Sequence, residues 1–177
     1  MAYPNPLDFA RIPTDVLVAL DWRAYHFAIQ PYHHLVRVPH IASMAAFFGG
    51  IAVLDLRLLG WRRKLPLRPF IELIVPYLYF TFGFAFISGC ALFFYDPVLV
   101  WSHAYFAPKL ILTSLGVANA ALFRRSGYLA MLTGDAPPAE NEVTYGRIFG
   151  ALSLALWTAV VICGCLNVEA APRVLLR

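Results

Sequence analysis

Charge is what this chain has least of. Lys, Arg, Asp and Glu together make up 14% of its 177 residues, against 60% hydrophobic residues and a mean hydropathy of +0.67. A water-soluble domain of this length needs far more polar surface, so the composition excludes that class and points to the membrane. Cysteine is scarce too. Cys90, Cys163 and Cys165 lie inside apolar runs, and neither their odd number nor the CGC spacing suits a disulfide framework, a zinc site or a thioredoxin-type motif. No phosphate loop, no paired catalytic carboxylates and no nucleophile beside a base are visible, which leaves no signature of hydrolytic or transfer chemistry. The first 38 residues lack the charged start, apolar stretch and small-residue cleavage site of a secretory signal peptide, so they are expected in the mature chain. The net charge of +4 comes from bases gathered at the ends of apolar runs, with no basic stripe interleaved with aromatics, and nucleic acid is not an expected partner.

What the chain does have is four apolar runs, each close to the ~20 residues that a helix needs to cross about 30 Å of hydrocarbon. They cover roughly Pro39–Leu59, Phe70–Phe94, Tyr105–Phe123 and Ile148–Leu166. Pro39 suits a first helical turn, and Gly60 with the bases behind it suits a helix end. YDPVLVWSHAYFAP, between the second and third runs, reads as a short turn or re-entrant piece, and the polar segment 126–146 as a loop. TDVLVALDWRAYHFAIQ, with Thr14 as N-cap and Pro31 as its stop, reads as a helix lying in the interface. The expected fold is therefore all-α: an integral-membrane four-helix bundle over 39–177, preceded by an N-terminal interfacial segment over 1–38.

Orientation follows from Arg57, Arg62, Arg63, Lys64 and Arg68 around the first connection and Arg124, Arg125 and Arg147 around the third. Those ends read as cytoplasmic, which places both termini in the periplasm of a bacterial inner membrane. On that frame His26, His33, His34, His40 and His103 all fall on the opposite side from the basic clusters. The first and third spans sit diagonally in a simple up-down bundle, so His40 and His103 are candidates to converge as the two axial ligands of a haem b. Ala42, Ala45, Ala46, Gly49 and Gly50 in the first span, with Gly116, Ala118 and Ala120 in the third, leave room for a macrocycle or allow close helix packing. For His40 the alternative is an interfacial imidazole bonded to a backbone carbonyl. Copper held by His33, His34 and Met44 is a second metal reading.

Ionisable groups within the runs are expensive in lipid and are candidates by default. Lys109 either snorkels outward or anchors an anionic group, such as a haem propionate or a quinone carbonyl. Asp55 is expected to pair with Arg124 at the basic end. Thus the candidate cofactor residues are His40, His103, His33 and Lys109, with His40 and His103 as metal ligands.

HIASMAAFFGGIAVLDLRLLG, PYLYFTFGFAFISGCALF and YFAPKLILTSLGVANAALF, within residues 40–123, carry a resemblance. The chain resembles a bacterial family of small four-helix membrane proteins that have a His opening the first span, a DLRLLG run closing it and a Phe-x-x-Lys-Leu start to the third. Its layout is similar to cytochrome b-like and copper-resistance membrane domains. The family has no established activity, so the resemblance implies topology more than chemistry. This chain departs from the pattern at Arg37, where an acid is usual three residues before the His, and at Arg124, where a His often ends the third span.

Two functions follow as expectations. One is a small b-type cytochrome-like subunit that passes electrons between a periplasmic redox partner and the membrane quinone pool. The other is a structural or assembly subunit of a larger respiratory or photosynthetic membrane complex, packed against other membrane-protein subunits through its aromatic-rich faces.

Overall fold

The computed structural model describes residues 12–62, 64, 67–125 and 140–169, and every regular element among them is helical. Two short helices, α1 (Thr14–Leu20) and α2 (Arg23–Ile29), lead through a 3₁₀ turn at Gln30–Tyr32 into α3 (His33–Leu59). α4 (Leu67–Tyr95), α5 (Pro97–Ser102), α6 (Phe106–Arg125) and α7 (Glu140–Glu169) follow. Four helices are long and apolar enough to cross a membrane, and the four-helix architecture expected from the apolar runs is the one observed.

Several boundaries differ from the expected ones. α3 starts at His33, not Pro39, so the proline sits inside the helix. Its missing N–H costs one intrahelical bond, which α3 absorbs by running on continuously from the preceding 3₁₀ turn. The interfacial helix is broken at Asp21–Trp22, where the backbone turns extended, and Pro13 rather than Thr14 occupies the N-cap. Of the expected loop, residues 126–139 lie outside the described ones, and 140–146 already belong to α7. The other end of α3 is as expected. Gly60 adopts φ 108° and closes the helix, its N–H bonding the Arg57 carbonyl at 3.1 Å while Trp61 N–H reaches back to Leu56 at 2.9 Å. This is a Schellman stop, which needs a left-handed residue.

The inward faces repeat at alternating steps of three and four residues. Ser43, Phe47, Gly50 and Leu54 line α3, Leu78, Thr81, Ala85 and Ser88 line α4, Gly116 and Asn119 line α6, and Gly150, Ser153, Trp157 and Val160 line α7. That period is the seam of left-handed helix pairing. Most of these positions are small or polar while Leu73, Phe80, Phe86 and Ile87 point outward, the inversion expected where lipid rather than water covers the outside. The inward hydroxyls are satisfied locally: Thr81 donates to the Tyr77 carbonyl at 2.8 Å and Ser88 to Phe84 at 2.7 Å.

α3 packs along both α4 and α7, and α6 packs along α7. α4 and α6 meet through side chains, with the rings of Phe93 and Phe106 stacked 5.7 Å apart and Arg124 donating to Tyr79 Oη at 3.0 Å. The middle of the bundle is an aromatic cluster. Trp157 stands edge-on to Phe47 at 4.7 Å and to Phe82 at 5.8 Å, and a Cβ on Gly116 would come within 2.9 Å of its indole. At the histidine end α1 lies on α5, and α2 is tied to α4 by Tyr25 Oη donating to Ala91 (3.1 Å) and His26 Nδ1 donating to the Tyr95 carbonyl (2.7 Å).

Candidate functional site

His40 lies on the inward stripe of α3, one turn ahead of Ser43. Its ring rests against α4 where Gly89 has no side chain: a Cβ there would be 3.1 Å from Cε1. Nδ1 lies 3.0 Å from the Ala85 carbonyl and 3.0 Å from Ser88 Oγ. A carbonyl only accepts, so Nδ1 carries the proton, shared with a serine whose own hydrogen is directed at the Phe84 and Ala85 carbonyls. In the neutral ring the lone pair is then on Nε2, which is the tautomer of an imidazole ready to accept a proton or bind a metal. The backbone-bonded histidine and the chemically available one are thus the same residue.

Lys109, in the first turn of α6, is the charged side chain whose field reaches His40. His40 and Lys109 are both half-buried. Among the described residues the Lys109 side chain has no hydrogen bond and no ion pair. What the pair offers is a proton-accepting nitrogen and a cationic donor within each other's electrostatic influence.

The other expected ligands are engaged elsewhere. His33 stacks on Tyr95 at 5.7 Å and bonds the Gln30 carbonyl at 2.9 Å, while His26 stacks on the same tyrosine at 4.6 Å. His103 closes α5 on itself, with Nδ1 2.9 Å from the Leu99 carbonyl. The copper reading fails on geometry: Met44 follows His33 by 11 helical residues, about 16 Å of rise, and packs instead against the aromatic cluster. Among the described residues no three His, Cys, Asp or Glu side chains are placed to hold a metal ion.

A haem clamped between the first and third spans needs a slot as wide as the macrocycle and a second axial imidazole. Trp157, Phe47 and Phe82 fill the space between α3 and α6 two turns further along α3 from His40, and His103, the expected second ligand, is turned to its own helix. The residues present do not fit that group.

The Asp55–Arg124 pair is not formed either. Arg124 bonds Tyr79, its guanidinium 5.9 Å over that ring, because α6 approaches α4 with this face while α7 covers Asp55. Sequence reasoning missed Ala85, Ser88 and Gly89 as the cradle of His40; their signal was a small-polar stripe at heptad spacing. No family model matches this chain, and neither does any curated protein or solved structure. The fold is that of a small helical protein with four membrane-span-like helices.

Proposed function

We propose that the chain is a membrane subunit that holds a quinone head group at His40 and Lys109 and works with a separate redox protein as electron carrier. The observation that carries this reading is the His40 tautomer fixed by Ala85 and Ser88, which leaves Nε2 as an acceptor, with the Lys109 ammonium as the charge that acts on it. A quinol presents two hydroxyls on a ring much smaller than a haem. His40 Nε2 accepts the proton of the first, Lys109 donates to the resulting quinolate oxygen, and the apolar tail stays in lipid. Oxidation to the quinone releases two electrons to the partner redox protein and the second proton to water. The positive-inside pattern supports placing this end on the periplasmic face of an inner membrane, where the stacked His26, Tyr95 and His33 also lie.

Titration of the purified protein in lipid nanodiscs with a short-chain quinone tests the reading, with quenching of tryptophan fluorescence as the signal. Saturable binding is expected, weakened about 10–100-fold by His40→Gln and by Lys109→Met, the range set by loss of a charge-assisted hydrogen bond. Binding that both variants retain at full strength rejects the site. A haem absorption band in the wild-type protein, lost in His40→Ala, would replace the quinone with the b-type cytochrome reading.

A further inference from the structure

At the other end of the bundle Asp55 presents a separate problem, independent of the quinone reading. It is 2% exposed, deep within α3, and its Oδ2 has no hydrogen-bond partner. Among the described residues it forms no ion pair. α7 closes over it: Ser153 stands beside the carboxyl, and a Cβ on Gly150 would lie 3.2 Å from the Asp55 carbonyl oxygen. α6 reaches the same turn of α7. Asn119, 7% exposed, donates from Nδ2 to the Phe149 carbonyl at 3.3 Å, which fixes the amide and leaves Oδ1 as a second buried acceptor without a partner. Two orphaned oxygens therefore lie against the single turn from Phe149 to Ser153, with no donor serving either.

The charged groups at this end do not resolve the shortfall. Arg57 is two residues further along α3, Arg147 is one turn before Gly150 on α7, Arg124 of α6 is on Tyr79, and Arg68 and Glu72 of α4 are paired with each other at 3.1 Å. None of them forms an ion pair with Asp55. An ionised carboxylate taken out of water without a countercharge costs several kcal/mol, and an orphaned acceptor adds about 1–3 kcal/mol. A proton on Oδ2 removes both penalties, since it cancels the charge and turns an orphaned acceptor into a donor.

We infer that Asp55 is a proton-binding site, its carboxyl carrying a proton at neutral pH in the interface of α3, α6 and α7. The Phe47–Phe82–Trp157 cluster lies between it and His40 along α3, so the two ionisable side chains stand at opposite levels of one core. Infrared absorption of the protein in an ester-free detergent at neutral pH tests this. The wild type is expected to show the C=O stretch of a protonated carboxylic acid, shifted by ¹³C-aspartate labelling and absent in Asp55→Asn. Asp55→Asn should keep the wild-type melting temperature, because the amide reproduces the neutral acid. No such band in the wild type, or a band that survives Asp55→Asn, overturns the inference. So does stabilisation by sodium chloride over choline chloride that Asp55→Asn abolishes, since that places a sodium ion on the carboxylate.

Discussion

Gly89 leaves the space that His40 fills, and the fit is tight enough to test. A methyl there would sit 3.1 Å from Cε1, closer than ordinary contact, so Gly89→Ala should displace the imidazole by a few tenths of an ångström and strain its bond to Ala85. The expected result is quinone affinity reduced severalfold with an unchanged melting temperature, measured by the same fluorescence titration and by thermal unfolding. His40 and Lys109 stand out in the sequence because an ionisable group in an apolar run needs a reason. Ala85, Ser88 and Gly89 do not, since each is an ordinary membrane-helix residue until the register of α3 against α4 is known. Asp55 shows the same limit: its cost was readable, but the choice between Arg124 and Ser153 as neighbour depended on which helix covers it.

The spans were readable at the level of elements because length and hydropathy suffice to mark them. Their facing surfaces were not, because the inward stripe of Ser43, Thr81, Ser88, Asn119 and Ser153 is more polar than the lipid-facing side, and a search for an apolar core looks at the wrong face. Boundaries failed where local rules were outweighed: Pro39 is a good first-turn residue, yet α3 runs through it from His33. The packing that holds the elements together centres on Trp157, which touches α3 through Phe47, α4 through Phe82 and α6 through Gly116. Trp157→Ala should cost about 3–5 kcal/mol, the range for deleting a buried large aromatic, read as a lower midpoint in denaturant unfolding. A variant as stable as the wild type would show that the cluster is not the core. At the helix end, Gly60→Val forces a β-branched residue to φ 108°, and should destabilise the α3 stop by more than 1 kcal/mol in the same assay.

For the whole molecule, the packing order α4–α3–α7–α6 sets α3 between the two neighbours that cover its polar groups, with α4 cradling His40 at one level and Ser153 of α7 beside Asp55 at the other. The four-span topology was readable from the sequence; the pairing order was not, since it depends on side-chain shape across helices far apart in the chain. The histidines share one end, as expected, but only His40 is directed at the core. His26 and His33 instead join Tyr95 in fastening the N-terminal helices over the outer end of α4. The central claim is that a quinone head group sits between His40 and Lys109, and photolabelling tests it most directly. The protein in nanodiscs is irradiated with an azidoquinone and the labelled peptides are identified by mass spectrometry. Label is predicted on peptides carrying His40, Gly89 and Lys109, displaced by excess unmodified quinone and lost in the His40→Gln, Lys109→Met double variant. Label spread evenly over the lipid-facing residues, or unchanged in that variant, would contradict it.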